Sequence, residues 1–407
     1  MHTSGVVLDL IRRGRASSRA ELARELGLAR STVTARIDAL ISHGLIEETE
    51  LGSSTGGRPP RILRLNTAQN HVIGVDLGAT HCRVTLADIE GLALAAREEP
   101  LLITDGPHTV LDRVDTLIQE LLDQEQRSLS SLRAIGIGVP GPVEFASGRP
   151  VNPPIMPGWH EFPIPGFLGE RYDVDVLVDN DVNVLALGER HTAHPNTNHL
   201  LFVKVGTGIG CGIVASGALH RGAQGSAGDL GHVRVPGSEA AVCRCGNTGC
   251  LEAVAGGAAL ATRLTEQHIP AETGRDVVRL VESGNATATR MVRDGGRVIG
   301  DVLAGVVNFF NPEAIVVGGV LARAHEPLLA GMREVIYKRS LPLATHHLDI
   351  VPTKAGEEGG ALGAAQLAID HVLEPTHVQR SLAATAPGDT TQSSDPQAHS
   401  VPQGGPR

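Results

Sequence analysis

The chain has 407 residues, 41 % hydrophobic and 20 % charged, with a net charge of −10. This composition excludes wholesale disorder and predicts two to three domains with an ample core. Aromatics at 2 % argue against a stacking platform for single-stranded nucleic acid. With five cysteines, no signal-peptide pattern and no apolar run of the roughly 18 residues a membrane span needs, the expected compartment is the cytoplasm.

Residues 1–65 hold ten Arg against seven Asp and Glu, so a basic head precedes an acidic body. Such a head can bind nucleic acid that the body repels. Val6, Val7, Leu10 and Ile11 recur at helical spacing and predict a first helix ending near Gly14. Ser18 with Glu21 matches a capping box, opening a second helix buried through Leu22 and Leu26. Gly27 supplies the turn after it. A third helix follows, with Val33, Ile37, Leu40 and Ile41 inward and Arg30, Ser31, Thr32, Thr34 and Arg36 outward. Leu45 to Leu65 reads as two strands around a Gly-rich wing carrying Arg58 and Arg61. The pattern is a winged helix-turn-helix, whose third helix enters the major groove. Arg58, beside Gly57 and Pro59, suits a narrow minor groove. The plainer reading of the same helices is a protein-interaction or dimerisation module.

The body carries two glycine-rich loops, each between strands. The first is Asp76-Leu77-Gly78-Ala79-Thr80, after the apolar strand His71 to Val75. Gly78 and Thr80 offer backbone N–H groups and a hydroxyl to a phosphate, and Asp76 suits Mg²⁺. The second is Val205-Gly206-Thr207-Gly208-Ile209-Gly210-Cys211-Gly212, after the strand Leu200–Val205 and running into the strand Cys211–Val214. A strand rather than a helix follows it, so a dinucleotide fingerprint does not apply. Two such loops in separate halves suggest a nucleotide between lobes; each alone could be a plain hairpin turn. A buried strand from Ala314 ends in Gly318-Gly319, which lets a flat base lie against the backbone or simply allows close packing.

His232, Cys243, Cys245 and Cys250 have metal-ligand spacing. Three thiolates and one imidazole complete a tetrahedral structural zinc site with no open position. Thiolates select a soft or borderline ion over Mg²⁺. Cys243 and Cys245 are too close in sequence for an easy disulfide, and Cys82 reads as core.

Residues 70–375 resemble the ROK family of repressors, open reading frames and sugar kinases. The resemblance rests on Asp76–Thr80, Val178-Asp-Asn-Asp-Val-Asn183 with Ala186–Glu189, the second Gly loop, Ala227–His232 and Cys243–Glu252. With the winged head, the whole chain resembles the repressor branch. The resemblance implies an actin-like (ribonuclease H-like) two-lobed α/β fold with sugar deep in the cleft and, in kinases, ATP above it. It implies Asp181 as the kinase base, Asn180, His232 and Glu252 as binders of sugar hydroxyls, and His232 also as a zinc ligand. Asp229 stands where the sugar kinases usually have Glu, which shortens that side chain's reach to sugar. Asn152 and Trp159 resemble the loop at the sugar-pocket entrance. Singly, Asn180 and Asp181 also read as a helix cap, and Glu252 as the start of a helix.

The expected organisation is a head at 1–65, a joint at 66–70, lobe 1 at 71–187 with 361–375, lobe 2 at 188–360, and a disordered tail at 376–407. The expected function is a sugar-responsive repressor that binds operator DNA as a homodimer or homotetramer. The alternative is an ATP- and Mg²⁺-dependent sugar kinase, alone or combined with regulation. Repressors of the family often lose the phosphate loops, and this chain keeps them. A third reading is control by a protein docking on the body.

Overall fold

The computed structural model describes residues 3–49 and 61–384. The head comprises α1 (Ser4–Arg12), α2 (Arg19–Leu26), α3 (Arg30–Ser42) and the antiparallel strands β1 (Ile46–Thr49) and β2 (Ile62–Leu65). The Ser18 hydroxyl accepts from the Glu21 N–H, and the Glu21 carboxylate accepts from the Ser18 N–H, so the capping box forms. Gly27 closes α2 at φ 63°, where a side chain would be strained. Leu22, Val33, Ile37 and Leu40 form the inward face, while Ile41 is only partly covered. The tip of the wing, with Gly57, Arg58 and Pro59, lies outside the described residues.

Two five-stranded sheets follow, built to one plan. The first comprises β3 (His71–Leu77), β4 (His81–Asp88), β5 (Ala93–Pro100), β6 (Leu132–Val139) and, after the short strands β7 (Val143–Glu144) and β8 (Arg149–Pro150), β9 (Asp175–Asn180). Their order is β5-β4-β3-β6-β9, with α4 (Pro107–Gln124) and α5 (Ile164–Tyr172) in the connections. After α6 (Asp181–Thr192), the second sheet comprises β10 (Leu200–Val205), β11 (Ile209–Ala215), β12 (Ala218–Leu219), β13 (Ala314–Gly318) and β14 (Asp349–Pro352), ordered β12-β11-β10-β13-β14. The helices α7 (Leu251–Ala255), α8 (Gly257–Glu266), α9 (Gly274–Glu282) and α10 (Ala286–Phe310) lead into β13. Then α11 (Glu326–Arg339) and α12 (Pro342–Thr345) lead into β14. In each sheet three antiparallel strands adjoin two parallel ones reached by helical crossovers. This is the actin-like two-lobed arrangement.

Two helices link the sheets. The helix α13 (Gly359–Val372) packs on β3 and β6, α6 packs on β10 and β11, and the two helices pack on each other. A Cβ at Gly363 would lie 1.7 Å from the Val184 carbonyl oxygen, and one at Gly188 would lie 2.0 Å from that of Gly359. Only glycine permits this approach. Glu189 is fully buried and accepts from Thr353 Oγ1 at 2.6 Å and from the N–H groups of Lys354 and Ala355 at 3.0 Å each. It ties α6 to the segment joining β14 to α13.

The head shares a core with the body. Val7, Leu8, Ile37 and Leu65 belong to one apolar cluster with Val72, Ala134, Ile369 and Val372. The joint at 66–70 is pinned by Asn70, whose Nδ2 donates to the carbonyls of Gly44 and Asn66 at 2.8 and 2.7 Å. The expected disorder from residue 376 fails at its start. A further helix, α14 (Pro375–Ala384), packs on α1 and buries Val378. One buried side chain in a polar segment is too weak a pattern to announce a helix; residues 385–407 lie outside the described ones. Trp159 is also corrected: it is fully buried and donates from Nε1 to Ile103 O at 3.1 Å, so it belongs to the core and not to a pocket entrance.

His71, at the start of β3, is fully buried, and both ring nitrogens lack a hydrogen-bond partner among the described residues. Burial, with Arg127 and Arg133 nearby, lowers its pKa to about 4. The unfolded chain therefore takes up this proton first. The contribution of His71 to stability is complete above its unfolded pKa of 6.5 and is lost as pH falls from there towards about 4. The loss across that window is at most roughly 3 kcal/mol. In denaturant titrations, His71→Leu is expected to show a shallower fall in stability between pH 6.5 and 4 than wild type; equal slopes would remove His71 as the cause.

Candidate functional site

Asp181 is the first residue of α6, directly after β9. Asn180 caps that helix, as its plainer reading held: its Oδ1 accepts from the Val182 N–H at 2.9 Å and its Nδ2 donates to Gly141 O at 3.0 Å. Asp179 holds the same turn by accepting from Asn183 Nδ2 and Arg221 Nε, both at 2.7 Å. The Asp181 carboxylate is buried and ion-paired with Lys204 Nζ from β10. Burial pushes the Lys204 ammonium down, but the charges of Asp181 and Asp76 push it up by more, so its pKa lies above the ordinary lysine value. Asp76, at the end of β3, abuts the first turn of α13: a Cβ at Gly360 would lie 2.2 Å from its Oδ2. The positive end of that helix favours a carboxylate. His81 Nε2 lies 3.6 Å from Asp76 Oδ2, and this carboxylate raises the His81 pKa against the effect of burial.

The metal-ligand residues converge. The donor atoms of His232, Cys243, Cys245 and Cys250 all lie within 4.8 Å of one another. Cys245 Sγ is 3.7 Å from Cys250 Sγ, and Cys243 Sγ is 3.7 Å from His232 Nδ1. Metal–sulfur bonds of about 2.3 Å in a tetrahedron separate sulfurs by about 3.8 Å, whereas a disulfide needs about 2.05 Å. The Asn247 N–H holds the Cys245 thiol down to about 7, while burial pushes Cys243 and Cys250 up. Three thiols at one point cannot all ionise without a cation, so the donor set fits a thiophilic divalent ion. His232 turns Nδ1 to the sulfurs, and its Nε2 lies 4.0 Å from Asp229 Oδ1. One ring can therefore ligate on one side and face the cleft on the other.

Backbone packing brings the remaining residues together around β11. A Cβ at Gly210 would meet Val182, next to Asp181; one at Gly208 would meet Glu252 Oε2; and one at Gly231 would meet Ile209 O. Thus Asp181, Glu252 and the segment Asp229–His232 surround one end of the strand. Asn152 is exposed, with φ 43°. Its neighbour Pro153 abuts Gly141, whose carbonyl Asn180 holds.

The phosphate loops divide in their uses. Thr80 and Thr207 are exposed. The Gly206 and Thr207 carbonyls accept from the Gly257 and Ala258 N–H groups at 2.8 and 3.2 Å, which pins the loop to the start of α8. Gly78 serves a tight turn: its N–H donates to His81 O at 2.9 Å. At Gly318 and Gly319 the space a Cβ would take is filled by the Phe202 ring and the Val205 backbone. On that side these two glycines make room for the protein's own atoms rather than for a flat base.

On the head, Arg30, Ser31 and Thr32 are exposed in the first turn of α3, and Arg30 makes no ion pair among the described residues. Thr34 is half-buried. Arg36 is half-buried too, with Nη1 sheltered and unpartnered among the described residues, so its charge is less available than the helical spacing suggests. Arg61 is paired with Glu48 at 3.3 Å. Sequence reasoning passed over Lys204, His81 and Arg221. Lys204 is one of three lysines in the chain and immediately precedes the second Gly loop, which was the available signal.

Fold and site define a two-lobed body of the sugar-kinase type joined to a winged helix-turn-helix. The chain belongs to the ROK family, whose profile matches residues 72–371, and a winged helix-turn-helix DNA-binding profile matches residues 5–47. It is 31 % identical to the DNA-binding transcriptional dual regulator NagC of Escherichia coli, over 89 % of this chain and 91 % of that one. It is 28 % identical to the xylose repressor of Bacillus spizizenii, over 88 % of this chain and 92 % of that one. A crystal structure of a ROK family transcriptional regulator, a homologue of the E. coli MLC protein, superposes with a TM-score of 0.80 at 25 % identity, covering 94 % of this chain and 98 % of that one. The ROK family glucokinase of Streptomyces griseus, with glucose and AMPPNP, superposes on 73 % of this chain and 99 % of its own with a TM-score of 0.64 at 26 % identity.

Cys250→Ser is expected to lower the metal content of the purified protein by one equivalent per chain, read by elemental analysis. Unchanged metal content would remove Cys250 from the ligand set.

Proposed function

We propose that this protein is a sugar-responsive transcriptional repressor. The head binds operator DNA through Arg30, Ser31 and Thr32 of α3, with Arg58 and Arg61 on the wing. A monosaccharide sits at Asn152, Asn180, Asp181, Asp229, His232 and Glu252. Zinc held by His232, Cys243, Cys245 and Cys250 fixes the wall that carries His232, and two or four chains assemble to read a palindrome. The observation that carries this reading is the single apolar core joining the head to α13. Because α13 also packs on α6, whose first residue is Asp181, a change in lobe angle at the sugar reaches the head through packed helices. Sugar releases DNA only if it binds more tightly to the lobe arrangement that docks poorly, since equal affinity for both shifts nothing.

Phosphoryl transfer is the second reading, supported by the retained Asp76, Gly78, Thr80 and Gly206–Gly212 loop and by the likeness to a glucokinase. A general base must be free to take the proton of the attacking hydroxyl. Here Asp181 is engaged by Lys204. The ammonium occupies one of the carboxylate's oxygens, which favours sensing over turnover.

Two outcomes test the proposal. A duplex selected from a random pool is expected to bind the protein and to lose at least about tenfold in affinity with one sugar among xylose, glucose and N-acetylglucosamine. Arg30→Ala is expected to weaken the same duplex without moving sugar affinity. No sugar effect on selected DNA would overturn the repressor reading. Separately, wild type with Mg-ATP and the same sugars is expected to release no ADP above background while the active sugar raises its melting temperature. Turnover lost in Asp181→Asn would instead establish a kinase with a DNA-binding head.

A further inference from the structure

A second group of metal donors lies far from the cysteine loop in sequence, where the body meets its last helix. Asp175 begins β9, His371 lies in the last turn of α13, and His377 lies in the first turn of α14. Three elements thus deliver one carboxylate and two imidazoles to one point, with all donor atoms within 4.8 Å of one another. His371 Nε2 is 2.7 Å and His377 Nδ1 is 3.8 Å from the same oxygen, Asp175 Oδ2. The ring centroids are 4.3 Å apart, at an interplanar angle of 55°.

We propose that Asp175, His371 and His377 form a second site for a borderline divalent ion such as Zn²⁺ or Ni²⁺, which clamps α14 to the first sheet. The donor chemistry argues for it. Two neutral imidazoles and a carboxylate suit such ions, with water completing the coordination. An ordinary ion pair between Asp175 and His371 accounts for one ring only; the second ring, turned to the same oxygen, adds a donor that this pair does not need.

Access and placement add a second, independent argument. A cavity of about 390 Å³ opens beside the cluster, and its lining includes His43, Arg133, Asp173, Asp175, His377 and Ser381. It lies between the end of α3, the first sheet and α14, and a hydrogen bond of 2.9 Å joins His43 Nε2 to Ser381 Oγ across it. Two of the three donor residues, Asp175 and His377, line this space. A bound ion joins β9, α13 and α14, and α14 is the helix on which α1 of the head packs. The site therefore bears on how firmly the head is held, independently of which sugar or operator the protein reads.

The test is isothermal titration of the purified full-length chain with zinc chloride, its cysteine site already loaded. Wild type is expected to take up one further equivalent per chain, with a rise in melting temperature. His377→Asn, which preserves side-chain polarity, and Asp175→Asn are each expected to weaken this uptake by at least about tenfold. Both variants should keep the metal of the cysteine site, which reports that they are folded. Cobalt substitution separates the sites by spectrum: sulfur ligands give an intense near-ultraviolet charge-transfer band, and the His–Asp site gives only weak visible bands. Absence of a further equivalent in wild type, or equal uptake in wild type and both variants, would overturn the proposal.

Discussion

The architecture depends on one contact, the crossing of α6 and α13. Each helix packs on a different sheet, so the relation of the lobes is set where the two helices touch. Glycine at 188 and 363 lets backbone meet backbone, which leaves almost no slack for sliding. The buried Glu189 reinforces the crossing by binding the segment just before α13. A buried carboxylate is costly unless its lone pairs are filled, and here a hydroxyl and two N–H groups fill them. Such a crossing suits rotation about the helices better than shear between them.

The same helices connect the chemistry to the head. The N-terminus of α6 presents Asp181 to the cleft, and the first turn of α13 faces Asp76. The far end of α13 lies within the apolar cluster that includes Val7, Leu8 and Leu65. The head is thus packed against the lobe rather than tethered to it, and Asn70 closes the joint. Between the two sheets, Lys204 supplies a positive charge close to two carboxylates, ion-paired with Asp181 and under the field of Asp76.

Much of this was legible beforehand because it is local. The capping box at Ser18 and Glu21, the turn at Gly27 and the strand ahead of Asp76 each depend on a few adjacent residues. The convergence of His232, Cys243, Cys245 and Cys250 was legible because such Cys and His spacing is restrictive. Other features were not. The two sheets share a topology without a repeated sequence, since strand order is a property of pairing between distant segments. Trp159 read as an entrance residue because an aromatic near a pocket motif looks the same in sequence whether it faces ligand or core. At 376–384 polar composition outweighed the single stripe through Val378, and packing on α1 decided the outcome.

The family, the winged head, the two glycine loops and the metal-ligand spacing of His232, Cys243, Cys245 and Cys250 are readable in the sequence, because each is written in neighbouring residues. Only the tertiary structure decided that Lys204 meets Asp181, that Gly318 and Gly319 pack against Phe202 and Val205, and that Asp175, His371 and His377 converge. Those contacts join residues up to about two hundred positions apart in the chain, and long-range proximity is a consequence of how helices and sheets stack rather than of any local preference.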